Sequence, residues 1–335
     1  MRANVRRAGF TLSFLCVLCV SVADAQPRWF KGNTHTHTSN TDGDSAPDSV
    51  VRWYKEHGYQ FVVISDHDSL TPVEGLNAVF AAPGKFLVLT GVEVTDRFEG
   101  KPVHLIGIGV RDAVLPQGGA TIQEILERDA RAIQAAGGLP HANHSNFGWT
   151  LTSEHIALAP SVKHFELWNG HPLVHNRGGG GSASTEEIWD AMLTSGRLIY
   201  GLATDDAHHF KGEFTPAHAN PGRAWIVVRA PELSSAALLA AIERGEFYAS
   251  TGVTLKDYQV SDTGIRIELA TGSGLASPRY RTYFLGRDSQ VLRRDDSLTP
   301  SYTFTGTELF VRARIESSTG AVAWTQPVFL KDARR

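Results

Sequence analysis

Cysteine is the scarcest informative residue in this 335-residue sequence. The chain has two, Cys16 and Cys19, and both lie within the first 25 residues. If that segment is removed, no disulfide, thiolate nucleophile or thiolate metal ligand is possible. Any metal ion must then be held by histidine and carboxylate side chains.

The sequence also has little in the way of continuous apolar segments. The exception is a short run near the amino terminus. Residues 8–22 are apolar, follow a segment with three arginines and precede Ala-Asp-Ala at 23–25. Such a run is short for a bilayer span and typical of a secretory signal peptide. We expect cleavage near Ala25, a mature chain that begins at Gln26, and export to the periplasm or the medium without a stable membrane anchor. A retained anchor is the alternative.

A surplus of basic residues is absent as well. Without residues 1–25 the chain keeps 29 basic and 34 acidic residues, a net charge of −5. This balance argues against a protein that binds duplex nucleic acid through a basic surface, whereas a nucleotide-sized substrate stays open. The hydrophobic share of 42% and the charged share of 20% are those of ordinary globular proteins.

Up to about residue 250, short apolar runs alternate with segments of helical period. Ser45 with Pro47 is expected to begin one helix, and Thr121 and Ser184 are expected to cap two others, each with a glutamate three residues later. A fourth helix is expected near 234–244. Strands alternating with helices predict an α/β fold with a parallel sheet or barrel. The predicted buried strands are 61–65, 86–90, 103–110, 164–169, 198–204 and 224–228.

The pattern changes after residue 250. Segments 264–270 and 309–317 alternate apolar and polar residues with period two, and turn-forming residues separate them. We therefore expect a barrel domain at 26–250 and a small antiparallel β-sandwich at 251–335.

The stretch GNTHTHTSNTDGD, 32–44, contains two histidines separated by one residue. On a strand, alternate side chains point the same way, so His35 and His37 could chelate one ion. This pattern alone is weak, because a polar surface strand would also produce it.

Further ligand-type residues follow other predicted strands. Asp66, His67 and Asp68 come directly after one, and Glu93 comes just past another. Catalytic groups of βα barrels lie at such carboxyl ends of strands, so a shared metal site explains the set better than separate local roles do. The remaining residues of this kind are His104, His141, His144, Asp205, Asp206, His208 and His209.

The residues belong to five motifs within residues 30–250: HTHTSNTDG, ISDHDSL, GVEV with His104 eleven residues after its glutamate, AGGLPHANHSNF and TDDAHH. In their order along the chain, these motifs resemble those of the PHP (polymerase and histidinol phosphatase) phosphoesterases. The resemblance implies a distorted (βα)7, TIM-like barrel that binds two or three Mn, Fe or Zn ions and cleaves phosphate esters.

The resemblance also implies a role for each matching residue. One ion would be held by His35, His37, Glu93 and Asp206, a second by Asp42, His67 and His208, and a third by Glu93, His104 and His144. Glu93, Asp206 and His208 would be the catalytic residues. The family usually has proline after the histidine matched to His144, where this chain has Ser145, so His141 competes for that role.

Other side chains are assigned by position. Asp66, Asp68 and Asp205 are expected to orient the ligands, because ligating imidazoles normally donate their second N–H to a carboxylate or carbonyl. Arg223, Arg177 and His175, near predicted strand ends or in the glycine-rich segment after 169, are candidates for binding substrate phosphate.

The sequence therefore predicts a metal-dependent hydrolase that attacks mono- or diesters of phosphate with a metal-activated hydroxide. The substrate would be a small phosphorylated molecule, with a nucleotide among the possibilities. Two alternatives remain: a metal hydrolase of a carbon-centred ester or amide, and a non-catalytic exported metal-binding module. The oligomeric state is open.

Overall fold

A computed structural model describes residues 26–271 and 277–330. The expected signal peptide lies outside these described residues. Within them, no helix combines the length and the apolar composition needed to cross a membrane.

In the described part of the chain, six α-helices and one short 3-10 helix connect or flank the strands. The helices are α1 (Pro47–Glu56), α2 (Glu74–Phe80), α3 (Ile122–Ala135), α4 (Ser153–Ala157), α5 (Thr185–Thr194), α6 (Ser235–Glu243) and the 3-10 helix Arg287–Ser289. The strands are β1 (Arg28–Asn33), β2 (Phe61–Ile64), β3 (Leu87–Phe98), β4 (Lys101–Ile108), β5 (Leu139–Ala142), β6 (His164–Asn169), β7 (Tyr200–Thr204), β8 (Trp225–Ala230), β9 (Phe247–Ser250), β10 (Leu255–Ser261), β11 (Gly264–Leu269), β12 (Tyr280–Leu285), β13 (Val291–Asp295), β14 (Ser301–Thr303), β15 (Phe310–Ser317), β16 (Val322–Thr325) and β17 (Val328–Phe329).

The first seven strands lie side by side in chain order. Beyond the ends of β1 and β7, Thr36 and Ala207 form a parallel bridge. The His37 amide donates to the Ala207 carbonyl at 2.9 Å, and the Asp206 amide donates to the His35 carbonyl at 3.0 Å. The first strand thus meets the seventh, in a mixed α/β fold with a large central sheet that is consistent with a TIM-like barrel.

Not all of these strands are parallel. β3 continues to Phe98 and forms an antiparallel hairpin with β4, and β5 is antiparallel to β4. Glu93 and His104 therefore lie inside long strands, not at a strand end and a strand start as the sequence suggested. The hairpin turn at Glu99 and Gly100 has positive φ at both residues, which suits the twist of a tight hairpin.

The carboxyl-terminal strands are antiparallel, as their period-two pattern predicted. β10, β11 and β14 form a separate three-stranded sheet, while β16 pairs with β9 and joins the other strands to the main sheet. Apolar residues of both sheets, including Ile267 and Phe284, share one hydrophobic cluster. A separate sandwich domain that begins at 251 stays a prediction.

The predicted helix caps differ in accuracy. Ser184 and Glu187 form the complete capping box. Thr121 caps α3, but the Glu124 carboxylate accepts from the Ala120 amide. Ser45 is not a cap: Ala46 holds that position, and the Ser45 hydroxyl donates to Asp44 instead.

Candidate metal centre

The segment after β1 carries the paired histidines. His35 and His37 follow the strand instead of lying within it, but the bridge at Thr36 keeps the backbone extended there. Both side chains are fully buried and their Nε2 atoms are 3.0 Å apart. Two facing imidazole nitrogens at this distance are arranged to share one ion or one proton.

Two buried carboxylates meet this histidine pair. Asp206 Oδ1 lies 3.2 Å from His35 Nε2 and 3.4 Å from His37 Nε2. Glu93 Oε2 lies 3.4 and 3.3 Å from the same two atoms. The structure therefore brings together the four residues expected at the first ion.

A second group surrounds Asp42, whose side chain is half exposed. Its Oδ2 lies 3.4 Å from His67 Nε2 and 3.3 Å from His208 Nε2, and its Oδ1 lies 3.5 Å from His37 Nδ1. The three residues expected at a second ion thus converge, with His37 as a fourth neighbour.

The third group meets at Glu93. Its Oε1 is 3.1 Å from His104 Nδ1 and 3.2 Å from His144 Nε2. His67 Nδ1 is 3.1 Å from the other oxygen, so His67 lies within reach of this group as well as the second. His141 is buried on β5, and neither ring nitrogen has a hydrogen-bond partner among the described residues. The structure therefore brings His144, and not His141, to Glu93.

Three residues in these segments have unusual backbone conformations. Asp68, His144 and Asp206 have φ values of 49°, 21° and 50°, in the left-handed region that few non-glycine residues occupy. Backbone of this kind persists only where surrounding contacts hold it, and it is frequent at functional sites. At Asp206 the turn follows β7 directly and directs the carboxylate to the histidine pair.

The carboxylates and imidazoles shift one another's pKa values. Burial favours neutral His35, but the charges of Asp206, Glu166 and Glu93 outweigh burial and raise its pKa well above the usual range. Burial likewise opposes ionisation of Glu93, but His35 and His104 outweigh it and hold the Glu93 pKa well below its usual range. Strongly shifted groups inside a cleft are typical of functional sites.

The pKa values of two neighbouring imidazoles shift in opposite directions. Burial and the nearby His208 lower the pKa of His37 to about 4. For His208, burial is outweighed by the hydrogen bond to Asp42 and the charge of Asp206, and its pKa rises to about 9. The two rings stack with centroids 4.2 Å apart. In the metal-free protein at pH 7, His37 is thus neutral and His208 is charged.

These residues, termed here the histidine–carboxylate cluster, fit divalent ions. The cluster comprises His35, His37, Asp42, His67, Glu93, His104, His144, Asp206 and His208. Among the described residues, His37 Nδ1 and His104 Nε2 are buried without a hydrogen-bond partner, which is costly unless another group uses them. Imidazole and carboxylate donors suit Mn, Fe or Zn.

Glu166 is a residue of the candidate site that the sequence did not indicate. It is fully buried on β6 and its Oε1 lies 2.6 Å from His35 Nδ1, while its Oε2 accepts from the His144 amide at 2.6 Å. Asn169 Nδ2 donates to Glu166 at 2.8 Å and to Asp206 at 3.0 Å. A single acidic residue within the apolar run HFELWN was the signal for this role.

Among the described residues, the three aspartates expected to orient the ligands form no hydrogen bond or ion pair with a histidine side chain. Asp66 accepts from the hydroxyls of Thr38, Thr41 and Thr71 and holds the segment after His37. Asp205 accepts from the Tyr54 hydroxyl and from the amides of Gly222, Arg223 and Ala224. Asp68 acts at one remove: it accepts from the amide of Thr95, whose hydroxyl lies 2.6 Å from His67 Nδ1.

The three candidates for phosphate binding are also placed elsewhere. The Arg223 guanidinium donates to the carbonyls of Gly170 and Thr215 and so joins two loops. Arg177 lies over the Trp168 ring, and the His175 ring stacks on Trp149 at 4.8 Å. None of the three lines the cleft that contains the histidine–carboxylate cluster.

That cleft has a volume of about 430 Å³, within the usual range for small-molecule sites. Besides members of the cluster, its walls are formed by Thr95, Arg97, Phe147, His171 and Leu173. Arg97 is the arginine among these lining residues. From the sequence, Arg97 lies beside the expected site loops and could compensate phosphate charge, but a solvated surface role is the default expectation for it.

Comparison with known proteins gives distant relatives. No family model matches the chain. A protein of Haemophilus influenzae described as a 5'-3' exoribonuclease is 26% identical over 117 residues, 35% of this chain and 42% of that protein. The 5'-3' exoribonuclease Rnm of Salmonella typhimurium is 24% identical over 211 residues, 56% of this chain and 64% of that protein. The chain thus matches less than two thirds of the length of either relative.

A solved structure from Bacteroides vulgatus aligns with nearly the whole chain. It is described as a two-domain protein containing a predicted PHP-like metal-dependent phosphoesterase. The alignment covers 97% of this chain and 100% of that one, with 14% identity and a TM-score of 0.49.

Proposed function

We propose that this chain is a PHP-type metal-dependent phosphoesterase built on a distorted (βα)7 barrel. The observation that supports this most is the convergence of nine histidine and carboxylate residues, from segments spread over residues 35–208: seven line one cleft, and the buried His35 and His37 contact them. Structural histidines rarely gather in this number around shared buried carboxylates.

The residues of the cluster would hold two or three Mn, Fe or Zn ions. When bound, such ions polarise a phosphoryl oxygen and lower the pKa of a water molecule. Glu93 contacts histidines of all three groups through its two oxygens and would fix the spacing between ions. Glu166 orients His35, and Asn169 orients Asp206, so both ligands are held before substrate arrives.

The substrate would be a phosphate mono- or diester. The charge of the chain argued against duplex nucleic acid, but similarity to proteins described as exoribonucleases keeps nucleic acid among the candidate substrates. The exclusion of nucleic acid is therefore not retained. Export after cleavage near Ala25 is a further part of the proposal, and it rests on the sequence of residues 1–25.

Purified protein that begins at Gln26 provides the test. Bound metal is measured, and p-nitrophenyl phosphate, bis-p-nitrophenyl phosphate, short RNA, lactones and amides are assayed with added Mn. We expect at least two ions per chain and hydrolysis of a phosphate ester. Fewer than two ions together with no phosphate ester hydrolysis would refute the proposal, and turnover of lactones or amides alone would favour a carbon-centred hydrolase.

A further inference from the structure

One strand links the ligands to the outer part of the cleft. Glu93, Thr95 and Arg97 all line it, because alternate residues of β3 face the same way. At about 3.3 Å per residue, the Cα atoms of Glu93 and Arg97 are roughly 13 Å apart. Arg97 therefore belongs to the entrance of the cleft, beyond the histidine–carboxylate cluster.

The Arg97 side chain is exposed and unneutralised. Within residues 26–271 and 277–330, its guanidinium has no hydrogen bond or ion pair with the protein. The adjacent Asp96 does not pair with it, because the Asp96 oxygens accept from the backbone amides of Arg97 and Gly118. A free guanidinium at the entrance of a phosphoesterase cleft presents a fork that suits a phosphate group.

Apolar side chains on other segments line the same cleft. Phe147 is half-buried, with its ring centroid 5.2 Å from that of His144 and 6.1 Å from that of His171. Leu173 is 59% exposed, so its side chain is available to a ligand. An aromatic ring and an aliphatic side chain can contact the face of a nucleobase.

We infer that Arg97, Phe147 and Leu173, termed here the rim subsite, bind the nucleotide unit next to the scissile phosphoester. Arg97 pairs with the phosphate of that unit, and Phe147 and Leu173 contact its base. The inference rests on the proposed phosphoesterase function and adds a substrate class, single-stranded nucleic acid, that phosphoesterase chemistry alone does not specify.

The test compares two substrates in the metal-loaded protein. p-Nitrophenyl phosphate has no second phosphate and no base, whereas a short 5'-phosphorylated RNA has both. In Arg97→Gln the ratio of kcat/KM for RNA to kcat/KM for p-nitrophenyl phosphate should fall about tenfold, the loss expected for one charge-assisted hydrogen bond, mainly through KM. Arg97→Lys keeps the charge without the fork and should lie between wild type and Arg97→Gln.

Arg287→Gln is the matched control, because Arg287 is exposed and does not line the cleft. It should leave the ratio at the wild-type value. An unchanged ratio in Arg97→Gln, or an equal fall in Arg287→Gln, would overturn the inference. Phe147→Leu tests the base contact, and its ratio should also fall because the planar ring is lost.

A binding measurement separates this inference from the proposed function. Fluorescein-labelled RNA is titrated with wild type and Arg97→Gln at several salt concentrations. The slope of log Kd against log salt should be smaller by about 0.7 in the variant, as expected for one lost phosphate contact on a single strand. If wild type hydrolyses neither substrate, the proposed function fails; if RNA binds both proteins equally, with the same salt slope, the rim subsite fails by itself.

Discussion

Two buried clusters of charge in this protein are satisfied in different ways. At the interface of α5 and β15, the fully buried Arg312 donates from Nε and Nη2 to Asp190 at 2.9 and 2.8 Å, and its Nη1 lies 2.9 Å from Glu186. In this Arg312 ion pair, each guanidinium nitrogen lies against a carboxylate oxygen. The histidine–carboxylate cluster instead brings three carboxylates and six histidines together at one site, where His104 Nε2 is buried without a hydrogen-bond partner among the described residues.

The difference distinguishes buried charges that stabilise the fold from buried charges that are arranged to bind a ligand. A guanidinium that meets carboxylates in a fork needs no further ligand, and the Trp189 ring covers it at 4.8 Å. Converging carboxylates whose charge is balanced only by protons on neighbouring imidazoles can exchange those protons for a divalent cation. Four predictions test this contrast.

The largest effect is expected at Asp206, which contacts both histidines of the first group. Asp206→Asn keeps the shape but removes the charge, so metal content and activity should fall together, with kcat/KM at least a thousandfold lower. Circular dichroism should show a retained fold. Asp44→Asn, a change at an aspartate outside the cluster, should keep the metal. Full activity in Asp206→Asn would show that the ligand assignment is wrong.

The Arg312 ion pair should show the opposite behaviour. Arg312→Met leaves Asp190 buried without its cation, and the free energy of unfolding should fall by about 3–5 kcal/mol. Denaturant unfolding measures this, and metal content of the folded protein should not change. Arg294→Met, which removes an exposed pair with Asp296, should leave the free energy of unfolding nearly unchanged. Equal losses in the two variants would contradict a structural role specific to the buried pair.

Glu166 connects the two kinds of behaviour, because it is buried and paired but acts on a ligand. Glu166→Gln removes the charge that holds His35 through Nδ1, so metal affinity should fall about 10–100-fold. Chelator competition measures that affinity, with Glu154→Gln on the exposed surface of α4 as the control. An affinity equal to that of wild type would place Glu166 among purely structural residues.

The smallest effect concerns pH. The pKa of His208 is about 9 in the metal-free protein, so below that pH a proton must leave before an ion can bind. Apparent metal affinity should therefore rise between pH 7 and pH 8, by up to about tenfold for the proton that His208 releases. Titrations at fixed ionic strength measure it. An affinity independent of pH over this range would rule out a charged His208.

Prediction from the sequence was accurate where residues of the candidate site directly follow an apolar run. Asp206 and His208 come just after β7, and β2 and β6 lie within a residue of their predicted bounds. The antiparallel direction of β3 and β4 was not predictable from periodicity, since the pattern of one strand does not reveal its partner. That direction places Glu93 opposite Ile106 and brings His104 across the hairpin to it.

Long side chains limited the prediction of the site. Arg223 is close along the chain to residues that line the cleft, but its guanidinium extends to Gly170 and Thr215. No local sequence pattern reveals that direction. Arg97 is the reverse case, because a residue near a hairpin turn lines the cleft through the alternation of β3. Position along a strand was therefore easier to predict than the direction of a flexible side chain.

The bridge between Thr36 and Ala207 also has a consequence for the order of folding. The two residues are 171 positions apart, and contacts between such distant residues form late because closing a long loop is entropically unfavourable. His35 and His37 meet Asp206 only when this contact has formed. Divalent ions should therefore bind a nearly complete barrel and slow its opening, instead of nucleating its assembly.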